Sequence, residues 1–472
     1  MKEFKPLSPQ DIEAIHQATM QVLSETGILL SHPDGVKIMR AAGAREEDGR
    51  LLIPQNIVEE AIKSCARRVE ITGRNGEPIC LGDGSLHWHN LGGARDVYNP
   101  TDGERRAAQA QDIVDSTRLL DGLDGVTSIT PFFTPQDVPG ELMELAMYRH
   151  ALPNTIKPLH GPGVQKAVEV KYIVRMAEVI GPPTNMLTLS ASPVSPLSFP
   201  DEIVEAIIEI ARRGITFIPL PCPTAGSTAP LSIAGALVQQ NAEVLASLVL
   251  AQLVKPGLAV VYAGRLAMME PRTGLSVWGG VELGMASAAT VQIGHHYGLP
   301  VNVYGFSTNA HVLDVQNGFE RAFNALLPAL AGADELSGIG EMAAGVMSSY
   351  AQMVCDNEIA ASVRRVRNGF EVDEDSLAVE VIAKVMRGDR NFLGQAHTRQ
   401  YLRAGELYLT YLAERGSWEG FAREGSKGMA GRAQAETERI LAEHQVPPLS
   451  EDQDAELDLI LAKAQEELLG KM

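Results

Sequence analysis

Between Leu86 and Gly340 the chain alternates short apolar runs with longer stretches of helical period, and it does so eight times. The runs are Leu86–Asn90, Val126–Thr130, Ile156–His160, Met186–Ser190, Thr216–Leu220, Ala259–Tyr262, Val301–Tyr304 and Glu335–Gly340. Helical stretches such as Ile203–Arg213, Ala234–Leu253, Val281–Tyr297 and Val315–Ala331 separate them. Single strands divided by helices cannot pair as hairpins, so they must run parallel and be joined by crossovers. Eight such units predict an α/β fold, a (β/α)8 TIM barrel. An open doubly wound sheet satisfies the same alternation and stands as the alternative.

The flanks have a different character. Residues 1–80 read as an N-terminal helical cap: Ser8 opens a periodic helix ending at Gly27, a second helix covers Pro33–Ala42, and a third covers Ile57–Ala66. The barrel itself is expected over residues 81–368. Residues 369–472 form a more polar C-terminal helical extension, and 451–472 carry seven acids against two lysines. This tail is expected to cover the barrel or to make an interface, and self-association is left open.

Charge narrows the function classes. Against 40 Lys+Arg stand 59 Asp+Glu, a formal charge of -19. So acidic a surface repels phosphate backbones, which argues against nucleic acid. Cys65, Cys80, Cys222 and Cys355 are scattered with no C-x-x-C pair, which suits a reducing cytoplasm. The N-terminus lacks the apolar core of a signal peptide. The most apolar stretch, Leu231–Pro256, contains Gln239, Gln240, Asn241, Glu243 and Gln252, so no membrane span is expected.

Common catalytic motifs are missing from the sequence. It has no H-E-x-x-H, no EF-hand loop, no P-loop and no G-x-S-x-G elbow. His87 and His89 share one side of a strand without a visible third ligand, and the adjacent His295 and His296 diverge on a helix, so no metal site is expected. Gly338-Ile-Gly340-Glu-Met-Ala343 matches the dinucleotide-binding turn G-x-G-x-x-A. Such a turn normally opens its domain, whereas this one closes the series.

Chemistry in a barrel gathers where the strands end. Aromatic residues are only 5% of the chain. Trp88, Tyr98, Phe132, Phe133, Trp278, Tyr304, Phe306 and Tyr350 nevertheless fall at or near those ends. Aromatic faces with a carboxylate suit a cation, above all a quaternary ammonium that donates no hydrogen bond. For each of them, plugging the barrel mouth is the plain structural alternative. Arg95, Arg265 and His311 are the cationic or titratable groups nearest the mouth and can hold a substrate carboxylate. A rim salt bridge is the alternative for either arginine. His160 is the histidine best placed to point inward, with a purely structural hydrogen bond as its alternative.

Four long segments then carry a resemblance. They are LSPQDIEAIHQATMQVLSETGILLSHPDGVKIMRAAGA in the cap, GGARDVYNPTDGERRAAQAQDIVDSTRLLDGLDGV at the first unit, and, later, PCPTAGSTAPLSIAGALVQQNAEVLASLVLAQLVKPG and STNAHVLDVQNGFERAFNALLPALAGADELSGIGEMAAG. In content and order they resemble the trimethylamine methyltransferase superfamily, in its branch without pyrrolysine. Gly340–Tyr350, the stretch corresponding to the pyrrolysine region, holds only ordinary residues.

The resemblance implies a barrel that moves a methyl group from a betaine-type quaternary amine, such as glycine betaine, proline betaine or carnitine, to the Co(I) of cobalamin carried by a partner corrinoid protein. On that reading no cofactor is held tightly and the protein supplies no nucleophile. Tyr98, Phe132, Trp278, Phe306 and Tyr350 are expected to cage the ammonium, with Glu341 as counter-charge. His311, Arg265 or Arg95 would hold the carboxylate, and Asn90, His160, Ser192 and Asn309 would complete a polar wall. Two alternatives stay open: a betaine-binding or sensing barrel without catalysis, and an NAD-linked oxidoreductase using the Gly338 turn.

Overall fold

The computed structural model describes residues 4–470, so the first three and last two positions of the expected cap and tail lie outside it. The barrel strands are β1 (His87–Asn90), β2 (residues 128–129, held by single bridges), β3 (Leu159–Gly163), β4 (Leu187–Ala191), β5 (Thr216–Pro219), β6 (Tyr262–Ala263), β7 (Val301–Tyr304) and β8 (Glu335–Ile339). Every neighbouring pair is parallel. Bridges run His89 to Ser128, Ile129 to Leu159 and Phe217 to Val260, and ladders join the rest. The ring closes where Glu335 and Leu336 of β8 pair with His87 and Trp88 of β1. Closure removes the open-sheet alternative.

All eight expected runs fall on this ring, and the third and sixth are displaced, the sixth starting at Tyr262 rather than Ala259. β3 starts at Leu159 rather than Ile156. Pro158 has no N–H to give. The amides of Ile156 and Lys157 are already spent on the Asp121 carboxylate and the Thr155 hydroxyl, each at 2.9 Å. Local side-chain acceptors thus compete with the ladder and delay the strand.

The helix Asp201–Arg213 illustrates the outer layer. Ile203, Val204, Ile207, Ile208 and Ile210 fall on one face and are buried, acids occupy its first turn, and Arg212 and Arg213 occupy its last. Gly214, at φ 72°, ends it in the left-handed conformation that favours glycine. The helix Ile233–Val254 is long and apolar enough to cross a membrane, yet it is a core element, enclosed by the barrel and by the cap helices Pro9–Gln21 and Gln55–Ser64. Its polar residues are satisfied inside: Asn241 donates to the Tyr297 hydroxyl at 2.8 Å, and Glu243 accepts from Ser195 Oγ at 2.8 Å.

The cap is not purely helical. Besides its helices it holds two hairpins, Arg45–Glu47 with Arg50–Leu52 and Val69–Thr72 with Pro78–Leu81. The second hairpin seals one end of the barrel: Val69, Ile71 and Leu81 form a separate buried cluster with Ile218 of β5, Ala263 of β6 and Val261 just before β6. Only the end at which the strands finish remains open. In the extension, Met429–Glu443 packs on the helix Tyr350–Asn368, and Glu451–Leu469 packs on Met143–Ala151 and Ala167–Glu178.

Candidate active site

Above the sealed floor lies a cavity of about 120 Å³, walled in part by His89, Asn90, His160, Arg265, Asn302 and Tyr304. An apolar cavity of about 150 Å³ holds a benzene molecule. The space therefore suits a small ligand.

A hydrogen-bonded network from β1, β2, β3, β7 and β8 fixes the wall. The Asn302 amide nitrogen donates to His89 Nε2 at 2.8 Å and to Glu335 Oε2 at 2.6 Å. His89 Nε2 is thereby an acceptor, so its proton sits on Nδ1 and is donated to the Asn90 carbonyl at 2.7 Å. Burial pushes the His89 imidazole down to about 3 against the opposing pull of the Glu335 carboxylate, and the Arg265 charge pushes the same way as burial. His89 is therefore neutral. The Glu335 carboxylate accepts from Ser128 Oγ at 3.1 Å, and His160 Nε2 stands 2.9 Å away, off the hydrogen-bonding direction. Burial alone would raise Glu335; the neighbouring His160 and the Asn302 amide outweigh it and hold the carboxyl well below its usual range.

Arg265 follows β6 and is only 4% exposed. Its hydrogen bonds go to neutral oxygens: the Asn302 carbonyl at 3.0 Å, the Gly264 carbonyl at 3.2 Å, Ser337 Oγ at 3.1 Å and the Asn302 amide oxygen. The guanidinium lies over the Tyr304 ring, 4.6 Å from its centroid. Trp278 meets Tyr304 edge-on at 5.3 Å. A buried guanidinium with only neutral partners has capacity for an anion.

Two further groups adjoin. Glu341, just past β8, accepts from Ser307 Oγ at 2.8 Å, while its Oε2 is buried with no partner. Burial pushes its carboxyl up to about 7, so it is poised between charged and neutral near neutral pH. Cys222, past β5, touches solvent yet is enclosed by protein, and burial pushes its thiol up to about 11. A protonated thiol is a poor nucleophile.

Of the residues singled out from sequence, Asn90, His160 and Arg265 meet around the cavity. Ser192 lies beside it, its Oγ close to Gly163. Asn309 accepts from the Trp278 and Gly279 amides, both at 2.7 Å, and so pins the loop carrying Trp278. Other residues lie elsewhere. Phe306 packs on Trp88 at 5.0 Å and Phe132 on Phe133 at 4.9 Å, both phenylalanines fully buried. Tyr98 and Tyr350 line a separate cavity of about 190 Å³, and the Tyr350 hydroxyl donates to Asp112 Oδ1 at 2.7 Å. Arg95 pairs with Asp96 at 3.2 Å, its side chain 58% exposed. His311 is exposed on the loop after β7.

One expectation and one alternative require revision. His89 does have potential co-ligands, because barrel closure brings ligand atoms of His89, His160 and Glu335 within 4.8 Å of one another. The Asn302 amide occupies both His89 Nε2 and Glu335 Oε2, so a metal ion would have to displace it. The Gly338 turn also fails as a dinucleotide site. A short hairpin, Glu341–Met342 with Met347–Ser348, follows β8, and no helix N-terminus stands there to receive a pyrophosphate. Tyr304, named from sequence among the strand-end aromatics, lines the cavity too; Asn302, Ser337 and Glu335 were not singled out, although the alternation of inward positions along β7 and β8 was available as a signal.

A closed barrel with a sealed floor and a polar cavity at the strand ends defines a barrel enzyme with its site at the mouth. The model of the trimethylamine methyltransferase (MTTB) family matches residues 1–468, and the chain belongs to that family; it is a methyltransferase. Trimethylamine methyltransferase MttB of Methanosarcina barkeri is 32% identical, over 99% of this chain and 97% of its own length. Its counterpart from Desulfitobacterium hafniense is 30% identical, over 98% and 94%. A glycine betaine methyltransferase of Desulfitobacterium hafniense is 28% identical, over 99% and 98%. Among solved structures, the hydroxylamine complex of MtmB shares the fold, with TM-score 0.52, 12% identity and 93% of each chain covered.

Proposed function

We propose that this methyltransferase demethylates a betaine-type quaternary amine and delivers the methyl group to the corrinoid of a partner protein in the cytoplasm. The observation that carries the reading is Arg265, a buried cation at the cavity wall whose hydrogen bonds all end on neutral oxygens. A substrate carboxylate would supply the opposite charge that those neutral oxygens do not. Trimethylamine has no such group. The glycine betaine methyltransferase relative, similar along nearly its whole length, supports the same substrate class.

The chain's own groups then have defined tasks. Arg265 receives the carboxylate, held in aim by Asn302 and Ser337. The Tyr304 and Trp278 rings offer faces to the ammonium, and Glu341 can supply the opposing charge. No proton donor is required, because a quaternary ammonium leaves as a neutral tertiary amine. A protein nucleophile is unnecessary as well, which agrees with the protonated Cys222. The docked corrinoid would supply Co(I) as methyl acceptor. The open mouth fits such a partner, since its loops expose Leu231, Leu275, Val312 and Val346. The four unpaired cysteines are compatible with a reducing compartment.

The test is incubation with Co(I) cobalamin and a panel of trimethylamine, glycine betaine, proline betaine and carnitine, following methyl–Co(III) formation by absorbance. Transfer from a betaine and none from trimethylamine is expected. Transfer from trimethylamine alone would overturn the substrate class, and betaine binding without transfer would favour a sensor.

A further inference from the structure

The extension holds a segment that does not bury its own apolar residues. Between residues 369 and 418 only Val385 and Leu412 are buried, whereas thirteen large apolar side chains are exposed, among them Phe370, Val379, Met386, Leu393 and Trp418. In the helix Val379–Arg387, Val379, Ile382 and Met386 form an outward stripe at spacings of three and four. Elsewhere on the same segment a groove of about 800 Å³ opens, lined in part by Phe370, Val372, Leu377 and Tyr401. At such exposure each large side chain leaves on the order of 100 Å² open, scaled from the ~150–250 Å² of a whole aromatic. Ten of them exceed the ~800 Å² per partner of a standard interface. A permanently bare patch of that size is an aggregation hazard.

We propose that this arm is the interface of a homodimer, covered by the arm of a second copy of the chain. Charge identifies the occupant. Residues 371–380 hold five acids and no base, and residues 384–403 hold five bases and one acid. A two-fold interface needs a surface complementary to itself. An arm divided into an acidic and a basic half meets that need when two copies lie head to tail. Glu371, Glu374 and Glu380, like Lys384, Arg387 and Arg390, have no ion-pair partner within the chain among the described residues.

Position argues against the corrinoid protein as occupant. The helix Tyr350–Asn368 leaves the mouth and, over its 19 residues, travels about 28 Å before the arm begins. At its far end Arg367 donates to the Gly84 carbonyl at 2.9 Å, below the start of β1. The arm therefore starts at the sealed end. A partner that must reach the mouth does not need this surface.

Sedimentation equilibrium of the full chain at low micromolar concentration tests the proposal. The expected mass is twice the 50.8 kDa of one chain. The double variant Ile382→Glu/Met386→Glu should sediment as a monomer. Glu374→Lys/Glu380→Lys and Arg387→Glu/Arg390→Glu should each weaken self-association at least tenfold, and mixing the two variants should restore it. A monomeric parent, or a dimer indifferent to all these changes, would overturn the proposal. Mass is read without substrate, so either result leaves the methyl-transfer reading to its own assay.

Discussion

The imidazoles of His89 and His160 lie face to face, centroids 4.5 Å apart and planes within 6° of parallel. Two stacked imidazoles in a buried wall cannot both carry a proton cheaply, and the network assigns the neutral role to His89 through the Asn302 amide. In the folded state His89 resists protonation down to about 3, against an ordinary 6.5. The unfolded chain takes up that proton below 6.5, so the His89 contribution to stability is complete above 6.5 and is lost as pH falls toward 3. The stability advantage of the parent over His89→Gln should narrow between pH 7 and pH 5, by on the order of 1–2 kcal/mol. Urea unfolding at several pH values measures it; a constant gap would contradict the neutral assignment.

Replacing Arg265 by Gln removes the proposed carboxylate partner. Truncating one member of a buried charge pair costs roughly 2–5 kcal/mol. KM for the active betaine should rise at least about 30-fold. Competitive inhibition by tetramethylammonium, which has no carboxylate, should change little. Equal losses for both ligands would assign Arg265 to scaffolding.

Glu341 is the acid whose ionisation falls nearest neutrality. Its folded value of about 7 lies above the ordinary 4.5. Between those values the unfolded chain has already released its proton, so the carboxyl costs the parent stability as pH rises through this window. Glu341→Gln should melt higher than the parent at pH 8 and nearly level with it at pH 4.5. If the carboxylate faces the ammonium, parental affinity for a quaternary amine should rise from pH 6 to pH 8, and this slope should vanish in Glu341→Gln.

Glu144 offers the same logic away from the cavity. Burial, with Glu169 adding repulsion, pushes its carboxyl up to about 8, and its Oε2 is buried without a partner. Glu144→Gln should raise the melting temperature at pH 9 more than at pH 5. Calorimetry at both values decides.

Gly340 joins β8 to the hairpin that carries Glu341. At φ 83°, a Cβ there would stand 2.7 Å from Met353 Cγ and 2.9 Å from Phe132 Cε2. Gly340→Ala combines backbone strain with overpacking, and a loss of roughly 2–4 kcal/mol in unfolding free energy is expected.

The fold was legible because each of its eight units carries local information. An apolar run bounded by breakers reads as a strand whatever surrounds it, and two starts moved by three residues, the third run by Pro158 and the Asp121 acceptor and the sixth from Ala259 to Tyr262. The site was legible in part. His160, Arg265 and Asn90 stand out by type and place, but Glu335 matters only because β8 closes against β1, a contact between residues about 250 positions apart in the chain. Phe132 and Phe306 show the converse. A residue at a strand end can turn into the mouth or outward beneath the helices, and the choice depends on register and tilt that no local pattern encodes.

The hairpin Val69–Leu81 that closes the barrel floor has a kinetic consequence. With a single doorway, the amine and a docked partner compete for passage even though they do not compete for the same atoms. In the proposed reaction the methyl donor therefore boards before the partner settles, and the spent amine departs only after the partner lifts away. Under the proposed reaction the order of addition and release would be set from the opposite end of the barrel, by Val69, Ile71 and Leu81.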